Sequence, residues 1–288
     1  MILKSGRIFI LSAFLISLVS CYGSWNIFYK GNDVDERTEN ITYLSSDDAA
    51  FAQSGVGSLQ GEYTVLVFSD THFGNTKKKV ECNRLYNWLT EKQGRADFPS
   101  FALSLGDVVD LGKQEQYDEY LAFCHKLQND YGISLIFNSC GNHDIYQNNW
   151  DNWEKNCYPY TSFYKFQTEK LSWYCLDTAS GTFGLGQYNK LNADFKNDSR
   201  MKIIFTHYPF VEFNKNCANM AETTERNKMI SDFAKNDVIC VLGGHIHRST
   251  SDYLGFNKYT IESFAYAGGW GLLHVDEEAG TAELEFIK

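Results

Sequence analysis

Short apolar runs alternate with longer amphipathic segments along most of the chain after residue 61. The apolar runs, each long enough for one buried strand, span residues 63–69, 100–105, 133–138, 202–206 and 238–242. The segments whose apolar residues recur at helical spacing span residues 77–93, 113–131, 186–196 and 221–235. Residues 158–177 predict a hairpin, and residues 259–287 predict further strands. This order predicts an α/β (α+β) fold in which two stacked mixed β-sheets are flanked by helices.

The first 21 residues follow a different pattern. Lys4 and Arg7 precede an apolar run over residues 8–19, which is short for a membrane span but suits the core of a signal peptide. Residues 18–21, Leu-Val-Ser-Cys, resemble a bacterial lipobox, in which the cysteine becomes the lipidated first residue of the mature protein. An ordinary secretory signal or an uncleaved anchor is the alternative.

The leader and the segment after it predict how the chain is organised. We expect residues 1–20 to be a signal peptide and Cys21 to carry lipid chains, so that the exported protein is anchored to a membrane and faces the periplasm or the cell exterior. Residues 21–61 are polar and predict a tether, with room for a short piece packed on the domain. Residues 62–288 are expected to form one large domain, whose oligomeric state stays open.

The charge and the cysteine content limit the kinds of partner and the redox chemistry expected of this chain. The chain has 26 lysines and arginines against 36 acidic residues, for a net charge of −10. This acidity argues against nucleic acid as a partner, because a phosphate backbone needs a basic surface. Cysteines at Cys-x-x-Cys spacing do not occur after Cys21, and no cysteine belongs to the candidate site. Cys157 and Cys217 are the pair to test for a disulfide in an exported protein.

Polar side chains recur where the predicted strands end. An isolated Gly-Asp sequence such as Gly106-Asp107 is a weak signal, because helix capping or an Asx turn explains most single aspartates. Here, however, successive predicted strands each end in an Asp, His or Asn side chain. Asp107 is the residue best placed to be shared among these groups. Five of the chain's seven histidines lie in these motifs, including His143. The candidate ligands are Asp70, His72, Asp107, Asn142, His207, His245 and His247.

The chemistry of this set predicts a pair of metal ions. Neutral imidazoles, carboxylates and one amide oxygen suit divalent or trivalent ions such as Mn, Fe, Zn or Co, and the lack of thiolates argues against a structural zinc site. Seven side chains are too many for one ion. Shared through a bridging carboxylate, they fill two ions and leave positions for water and substrate, as in phosphatases and nucleases.

The ordered motifs resemble the signature of the calcineurin-like metallophosphoesterases over residues 63–247. The resemblance implies a four-layer α-β-β-α sandwich, two transition-metal ions and hydrolysis of a phosphate ester. Val109-Asp110 stands where purple acid phosphatases carry a tyrosine ligand, so that branch is disfavoured. The motifs are Asp70-x-His72, Gly106-Asp107-x-x-Asp110, Gly141-Asn142-His143-Asp144, His207 and Gly244-His245-x-His247.

The resemblance also implies which side chains share an ion. One ion would be held by Asp70, His72 and His247. The other would be held by Asn142, His207 and His245. Asp107 would bridge the two.

Further roles are expected for the polar residues beside the ligands. A metal-bound hydroxide would attack phosphorus in line, with His143 stabilising the phosphoryl oxygens or protonating the leaving oxygen. Asp144 would orient the His143 imidazole, and Asp110 would hold the free N–H of a ligand histidine. Loop capping is the alternative for both aspartates.

The substrate is open at this point. A phosphomonoester, a cyclic nucleotide or another diester each fit, and Phe73, Tyr208 and the aromatic residues of 150–160 could stack a base, pack a lipid chain or simply fill the core. Two functions are considered: a membrane-tethered dimetal phosphoesterase, and a surface lipoprotein that uses the fold as a binding module. The enzyme is favoured because no ligand position is missing.

Overall fold

Two β-sheets and eight α-helices make up the described part of the chain, residues 34–212 and 223–288 of a computed structural model. The strands are β1 (Thr42–Tyr43), β2 (Glu62–Phe68), β3 (Phe101–Ser104), β4 (Ile136–Asn138), β5 (Tyr164–Gln167), β6 (Leu171–Cys175), β7 (Met201–Phe205), β8 (Val238–Gly243), β9 (Thr250–Tyr253), β10 (Asn257–Thr260), β11 (Trp270–Asp276) and β12 (Thr281–Ile287). The helices are α1 (Val34–Arg37), α2 (Ala49–Ser54), α3 (Asn83–Lys92), α4 (Gln114–Tyr131), α5 (Trp150–Asn156), α6 (Leu185–Phe195), α7 (Thr223–Lys235) and α8 (Phe264–Ala267).

The first sheet has five strands in the order β12-β11-β2-β3-β4. Strands β2, β3 and β4 are parallel, so their carboxyl ends lie at the same edge, whereas β11 runs antiparallel to β2. Every residue of β2 after Glu62 is buried. A continuous apolar run is what a central strand covered on both faces requires.

The second sheet has seven strands in the order β1-β5-β6-β7-β8-β10-β9. Strands β6, β7 and β8 are parallel, and β5 forms the predicted antiparallel hairpin with β6. Strands β7 and β8 therefore also end side by side. Each sheet thus delivers the loops after its central parallel strands to one edge, which is where ligands collect in open α/β sheets.

The main core lies between the two sheets and is rich in aromatic rings. Phe101 of β3 meets Trp173 of β6 at a centroid distance of 5.3 Å, and Phe137 of β4 stacks on Phe166 of β5 at 4.1 Å. Smaller cores on the outer faces join α3 and α4 to the five-stranded sheet and α6 and α7 to the seven-stranded sheet. These layers confirm the predicted fold of two mixed sheets flanked by helices.

The helix predicted over residues 77–93 begins only at Asn83. The side chain of Asn75 accepts hydrogen bonds from the backbone N–H groups of Lys77 and Lys78 at 2.9 and 3.0 Å. This local turn competes with helix formation and holds the exposed lysine run in a loop. The short elements β1, β9, α2, α5 and α8 had no sequence signal of their own.

The segment before β2 packs on the domain more extensively than the expected short piece. Strand β1 pairs with β5, and Phe51 and Val56 enter the main core. The buried guanidinium of Arg37 binds the carboxylate of Asp177 at 2.7 and 2.9 Å. Residues 34–61 therefore contribute to the folded body.

The predicted leader, the lipidation site Cys21 and Cys217 lie outside the described residues. Cys157 follows α5 and is buried. Within residues 34–212 and 223–288, none of the helices combines the length and apolar character needed to cross a membrane.

Candidate metal centre

The seven predicted ligands come together where the two sheets end. Asp70 and His72 follow β2, Asp107 follows β3 and Asn142 follows β4 of the five-stranded sheet. The seven-stranded sheet supplies only imidazoles: His207 follows β7, and His245 and His247 follow β8. The carboxylates thus come from one sheet and most of the histidines from the other.

The ligand loops share an unusual backbone conformation. Left-handed φ angles are costly for residues other than glycine, by about 1–3 kcal/mol each, and they cluster at functional sites. Such angles turn the chain sharply past the strand ends and aim the side chains into one space. They occur at Asp70 (53°), His72 (43°), Asp107 (51°), His245 (67°) and His247 (52°).

Two glycines of the motifs allow these loops to approach one another. A Cβ atom on Gly141 would lie 2.2 Å from the backbone nitrogen of Asp107, and one on Gly244 would lie 1.9 Å from Ser69 Oγ. Both distances are far below van der Waals contact. The loops after β3 and β4, and those after β2 and β8, can therefore pack only with glycine at these positions.

The first triad consists of Asp70, His72 and His247. Asp70 Oδ1 lies 3.1 Å from His247 Nε2 and 3.9 Å from His72 Nε2, and the two imidazole nitrogens are 3.5 Å apart. Asp70 Oδ2 accepts hydrogen bonds from the Ser69 hydroxyl and from the backbone N–H of His245. The second oxygen is thus fixed by the protein, and Oδ1 is left to face the histidines.

The second triad consists of Asn142, His207 and His245. His207 Nε2 lies 3.1 Å from Asn142 Oδ1 and 3.3 Å from His245 Nδ1. His207 Nδ1 donates to the carbonyl oxygen of Leu105 at 2.8 Å. Because that hydrogen bond places the proton on Nδ1, the lone pair of Nε2 points toward the other two ligands.

Asp107 lies between the two triads. Its Oδ1 accepts a hydrogen bond from the backbone N–H of His143 at 2.8 Å. Its Oδ2 lies 3.2 Å from His207 Nε2 and 3.9 Å from His72 Nε2. One oxygen of this buried carboxylate therefore faces a histidine of each triad, as a bridging ligand must.

The carboxylates make this space attractive to positive charge. Burial alone would raise the pKa of Asp107, but the imidazole of His207 outweighs it and holds that pKa well below its ordinary value. Burial likewise opposes protonation of His207, yet the carboxylate of Asp107 raises the pKa of that imidazole to about 9. Burial, with the nearby His207, lowers the pKa of His245 to about 4.

The donor set fits transition-metal ions. Three overlapping groups have ligand atoms within 4.8 Å of one another: Asp70 with His72 and His247, His72 with Asp107 and His143, and Asp107 with His207 and His245. Imidazole, carboxylate and amide donors without thiolate suit Mn, Fe, Zn or Co. A dinuclear centre is typical of such a set.

His143 lies beside the triads with one ring nitrogen fixed. Its Nδ1 donates to the carbonyl oxygen of Asp110 at 2.7 Å, and its ring meets the ring of His72 edge-to-face at 4.7 Å. Because Nδ1 is engaged, Nε2 is the nitrogen available for a ligand or a proton transfer.

Asp144 does not make the contact with the His143 imidazole that its expected role requires. The buried carboxylate of Asp144 accepts hydrogen bonds from the backbone N–H groups of Gly141 at 2.8 Å and Val109 at 3.1 Å. Burial, helped by the charge of Asp107, raises the pKa of Asp144 to about 7. Asp144 therefore ties the loops after β3 and β4 together, and the Asp110 carbonyl orients His143 in its place.

Asp110 lies near a ligand histidine but makes no hydrogen bond to its free N–H, the role predicted for it. Its Oδ1 lies 3.7 Å from His72 Nδ1, a buried nitrogen that has no hydrogen-bond partner. Asn75 Nδ2 donates to the same Oδ1 at 2.8 Å. Asp110 is thus oriented toward the first triad from behind His72.

The aromatic residues considered for the mouth divide into two groups. Phe73 and Trp153 are buried in the core beside α4 and do not line the site. Tyr208 does, because its ring stacks on His245 at 3.7 Å. Sequence reasoning missed Tyr146 and Tyr266, which contact His143 and His247. Tyr146 follows a ligand motif by a few residues, whereas Tyr266 is brought to the site only by the fold.

Comparison with known proteins identifies the family. The model of the family described as calcineurin-like phosphoesterase matches residues 63–249. No curated protein matches the sequence.

Solved structures share the fold at low sequence identity. A dimetal phosphatase from Danio rerio is 12% identical with a TM-score of 0.60, and the match covers 75% of this chain and 93% of that chain. GAP50, the anchor in the inner membrane complex of Plasmodium, is 11% identical with a TM-score of 0.51 over 80% of this chain and 89% of its own. A 5′-nucleotidase from Candida albicans is 12% identical with a TM-score of 0.51 over 81% of this chain, but only 52% of that longer chain is covered.

Proposed function

Because this chain belongs to the calcineurin-like phosphoesterase family, we propose that it hydrolyses phosphate esters at a centre of two metal ions. The observation that carries the proposal is the position of Asp107. Its Oδ2 lies 3.2 Å from a histidine of the second triad and 3.9 Å from a histidine of the first, so one carboxylate serves both groups. A shared carboxylate between two sets of ligands is the arrangement that holds two ions a few ångströms apart.

The triads divide the ions between them. Asp70, His72 and His247 would hold one ion, and Asn142, His207 and His245 would hold the other, drawn from Mn, Fe, Zn or Co. Support comes from the fixed orientation of the donors: Asp70 Oδ2 and His207 Nδ1 are both engaged by the protein, which leaves Asp70 Oδ1 and His207 Nε2 for the ions.

When bound, two such ions would supply positive charge for the phosphate and would lower the pKa of a nucleophilic water. The protein's own contribution to the reaction is the proton at the leaving oxygen. The Asp110 carbonyl accepts the Nδ1 proton of His143, which leaves Nε2 for the site. With both ring nitrogens protonated, the imidazolium gives its Nε2 proton to the leaving oxygen and becomes the neutral ring. Asp144 ties the backbone just before Asn142 and His143 to the loop after β3, because Gly141 and Val109 both donate to its carboxylate.

The alternative is a binding module that has kept the fold without catalysis. GAP50, which shares the fold, is described as an anchor, so the fold alone does not imply turnover. The complete ligand set and the presence of His143 favour the enzyme, because a protein that no longer catalyses has no reason to retain both.

The experiment that tests the function measures metal content and turnover together. The metal-supplemented protein should contain two transition-metal ions per chain and hydrolyse at least one class in a panel of aryl monoesters, aryl diesters and nucleotides. The panel also assigns the protein to monoesters or diesters. Two bound ions with no hydrolysis of any class would favour the binding module, and one ion per chain would contradict the dinuclear centre.

We also propose that the protein is an exported lipoprotein that faces the periplasm or the cell exterior. The support is the apolar run over residues 8–19 followed by the lipobox-like sequence ending at Cys21. Cys21→Ala should abolish metabolic labelling by a fatty acid and release the protein from the membrane fraction, because two acyl chains are needed for stable anchoring. Labelled and membrane-bound Cys21→Ala protein would disprove the anchor.

A further inference from the structure

Three tyrosines each stack on a histidine of the candidate site. Tyr208 lies on His245 at a centroid distance of 3.7 Å with 27° between the rings. Tyr266 lies on His247 at 5.2 Å and 24°. Tyr146 lies on His143 at 5.7 Å and 23°. Aromatic rings thus border both triads and the proposed proton donor.

Two of these tyrosines are open to solvent. Tyr146 is 49% exposed and Tyr266 is 46% exposed, although each ring is covered on one side by an imidazole. Tyr208 is only half-buried as well, but Gly181 lies near its ring edge. Tyr146 and Tyr266, the tyrosine pair, therefore present ring surface outward from the site.

Tyr266 is held rigidly in this position. Its hydroxyl accepts a hydrogen bond from Asn75 Nδ2 at 2.9 Å, and its backbone N–H donates to the Ser263 hydroxyl that caps α8. The ring face turned away from His247 is the apolar surface that Tyr266 offers a ligand. A side chain that is already held in place loses little conformational entropy when a ligand binds.

If His143 protonates the leaving oxygen, the tyrosine pair lies on the leaving-group side of the site. Tyr146 stacks on His143, the proposed donor to the leaving oxygen. Tyr266 also meets His72 edge-to-face at 5.7 Å, and His72 in turn meets His143 at 4.7 Å. The two tyrosines therefore flank the His72–His143 pair, one from each end.

We propose that the tyrosine pair binds a flat aromatic ring on the alcohol side of the ester, so that the preferred substrate is the phosphate ester of a nucleoside or of an aryl alcohol. This inference rests on the proposed function. Stacking on an aromatic side chain suits any ring with an accessible π face, whether it is a base or a phenyl ring. A sugar or alkyl group offers no such face.

A positioning role is the competing explanation. If Tyr146 and Tyr266 only orient His143 and His247, their loss would weaken every ester to the same degree. If they bind the substrate ring, their loss would weaken only esters that carry a ring. The ratio of the affinities for two matched ligands, one with a flat ring and one without, separates the two explanations, because any general effect on the site cancels.

The experiment measures binding of phosphonates, which cannot be hydrolysed, to the metal-loaded protein by calorimetry. A nucleoside 5′-phosphonate is compared with the ribose phosphonate that lacks the base, and phenylphosphonate is compared with cyclohexylphosphonate. We expect the ligand with the flat ring to bind about 10- to 100-fold more tightly in at least one pair, as base stacking on an aromatic side chain would give. The pair that shows the preference identifies the source of the ring.

The variants locate the preference on the tyrosine pair. Tyr146→Ala and Tyr266→Ala should each reduce the ratio severalfold, whereas Tyr146→Phe and Tyr266→Phe should keep it within about twofold because the ring remains. Tyr253→Ala is the matched control: Tyr253 is 75% exposed on β9 and stacks on no site histidine. It should leave both ratios unchanged.

The outcomes distinguish this inference from the proposed function. A ratio near one in the unmodified protein, or a ratio that both alanine variants leave intact, would overturn the ring site even if esters are hydrolysed. A clear ratio in a protein that hydrolyses no ester would retain the ring site and refute the enzyme. The measurement on the unmodified protein needs no variant to fold.

Discussion

The two sheets contribute unlike chemistry to the same centre. The five-stranded sheet supplies both carboxylates, Asp70 and Asp107, together with one imidazole and one amide. The seven-stranded sheet supplies three imidazoles and no carboxylate. Each triad takes members from both sheets, so neither sheet alone can hold an ion. Metal binding should therefore strengthen the packing of one sheet on the other.

The difference also explains how the edges meet. The backbone N–H of His245, on the loop after β8, donates to Asp70 Oδ2 at 3.0 Å. A carboxylate of the five-stranded sheet thus binds the backbone of the seven-stranded sheet with one oxygen and faces a ligand histidine with the other. Negative charge on one side and donors on the other bring the two edges into register.

Removal of Asp107 should have the largest effect on the centre that the two sheets share. Asp107→Ala should lose both ions and all measurable turnover, because its Oδ2 faces a histidine of each triad. Elemental analysis and the ester panel measure the two effects. Asp107→Asn is the control, since it retains an acceptor for the His143 backbone N–H and removes only the charge. Two ions per chain in Asp107→Ala would show that the triads do not share this ligand.

His143→Ala should slow the reaction while leaving the metal ligands of both sheets intact. We expect a loss in turnover by a factor of about 10²–10⁴ with unchanged metal content, as for the loss of a general acid. The loss should shrink for leaving groups of low pKa, such as nitrophenolate, which need little protonation. Kinetics across esters with graded leaving-group pKa measure this. A uniform loss would instead assign His143 to binding the phosphoryl oxygens, and normal rates would remove it from the mechanism.

Within the seven-stranded sheet, one ligand histidine is buried and another is partly exposed. His207 is fully buried against Asp107, whereas the His247 side chain is 37% exposed. Without metal, His207→Ala should lower the free energy of unfolding by about 3–5 kcal/mol, because it leaves a buried carboxylate unpaired. His247→Ala should lower it by less, because the Ser69 hydroxyl and the backbone N–H of His245 still stabilise the Asp70 carboxylate. Urea denaturation of the two metal-free variants gives the values.

Metal analysis completes that contrast. Each variant should lose one ion, His207→Ala that of the second triad and His247→Ala that of the first. If the two variants lower the free energy of unfolding equally, the exposure of an imidazole does not determine how much it stabilises the metal-free protein.

The strands and ligands could be predicted because their signals are local. A buried parallel strand such as β2 is a continuous apolar run, and each ligand lies within a few residues of such a run. The packed segment over residues 34–61 gave no such signal. Its contacts come from single residues such as Phe51 and Val56, which are too far apart in sequence to form a period.

Contacts made across loops could not be predicted. The position of Asp144 next to His143 suggested that it orients that ring, but its carboxylate reaches back to the backbone of Val109 on another loop. Tyr266 reaches His247 only because β11 and α8 return to the edge of the five-stranded sheet. Such partners depend on how the loops and the sheets pack, which no motif encodes.

The smallest expected effect tests the support behind a single ligand. His72 Nδ1 is buried without a hydrogen-bond partner, and Asp110 Oδ1 at 3.7 Å is the carboxylate oxygen that faces it. A histidine that binds an ion through Nε2 carries its proton on Nδ1, and an acceptor there strengthens the ligand. Asp110→Asn removes the negative charge and should weaken the ion of the first triad by about 10- to 100-fold.

The same argument requires the second triad to be spared, because His207 Nδ1 has its own partner in the Leu105 carbonyl at 2.8 Å. Titration with a chelator, read as ions retained per chain, should therefore show one weakened and one unchanged ion in Asp110→Asn. Asn75→Ala is the control: it removes the 2.8 Å donor to Asp110 and keeps the charge, so its effect should be smaller. If both ions weaken equally, Asp110 acts on the whole cavity through its charge. If neither weakens, it does not support His72.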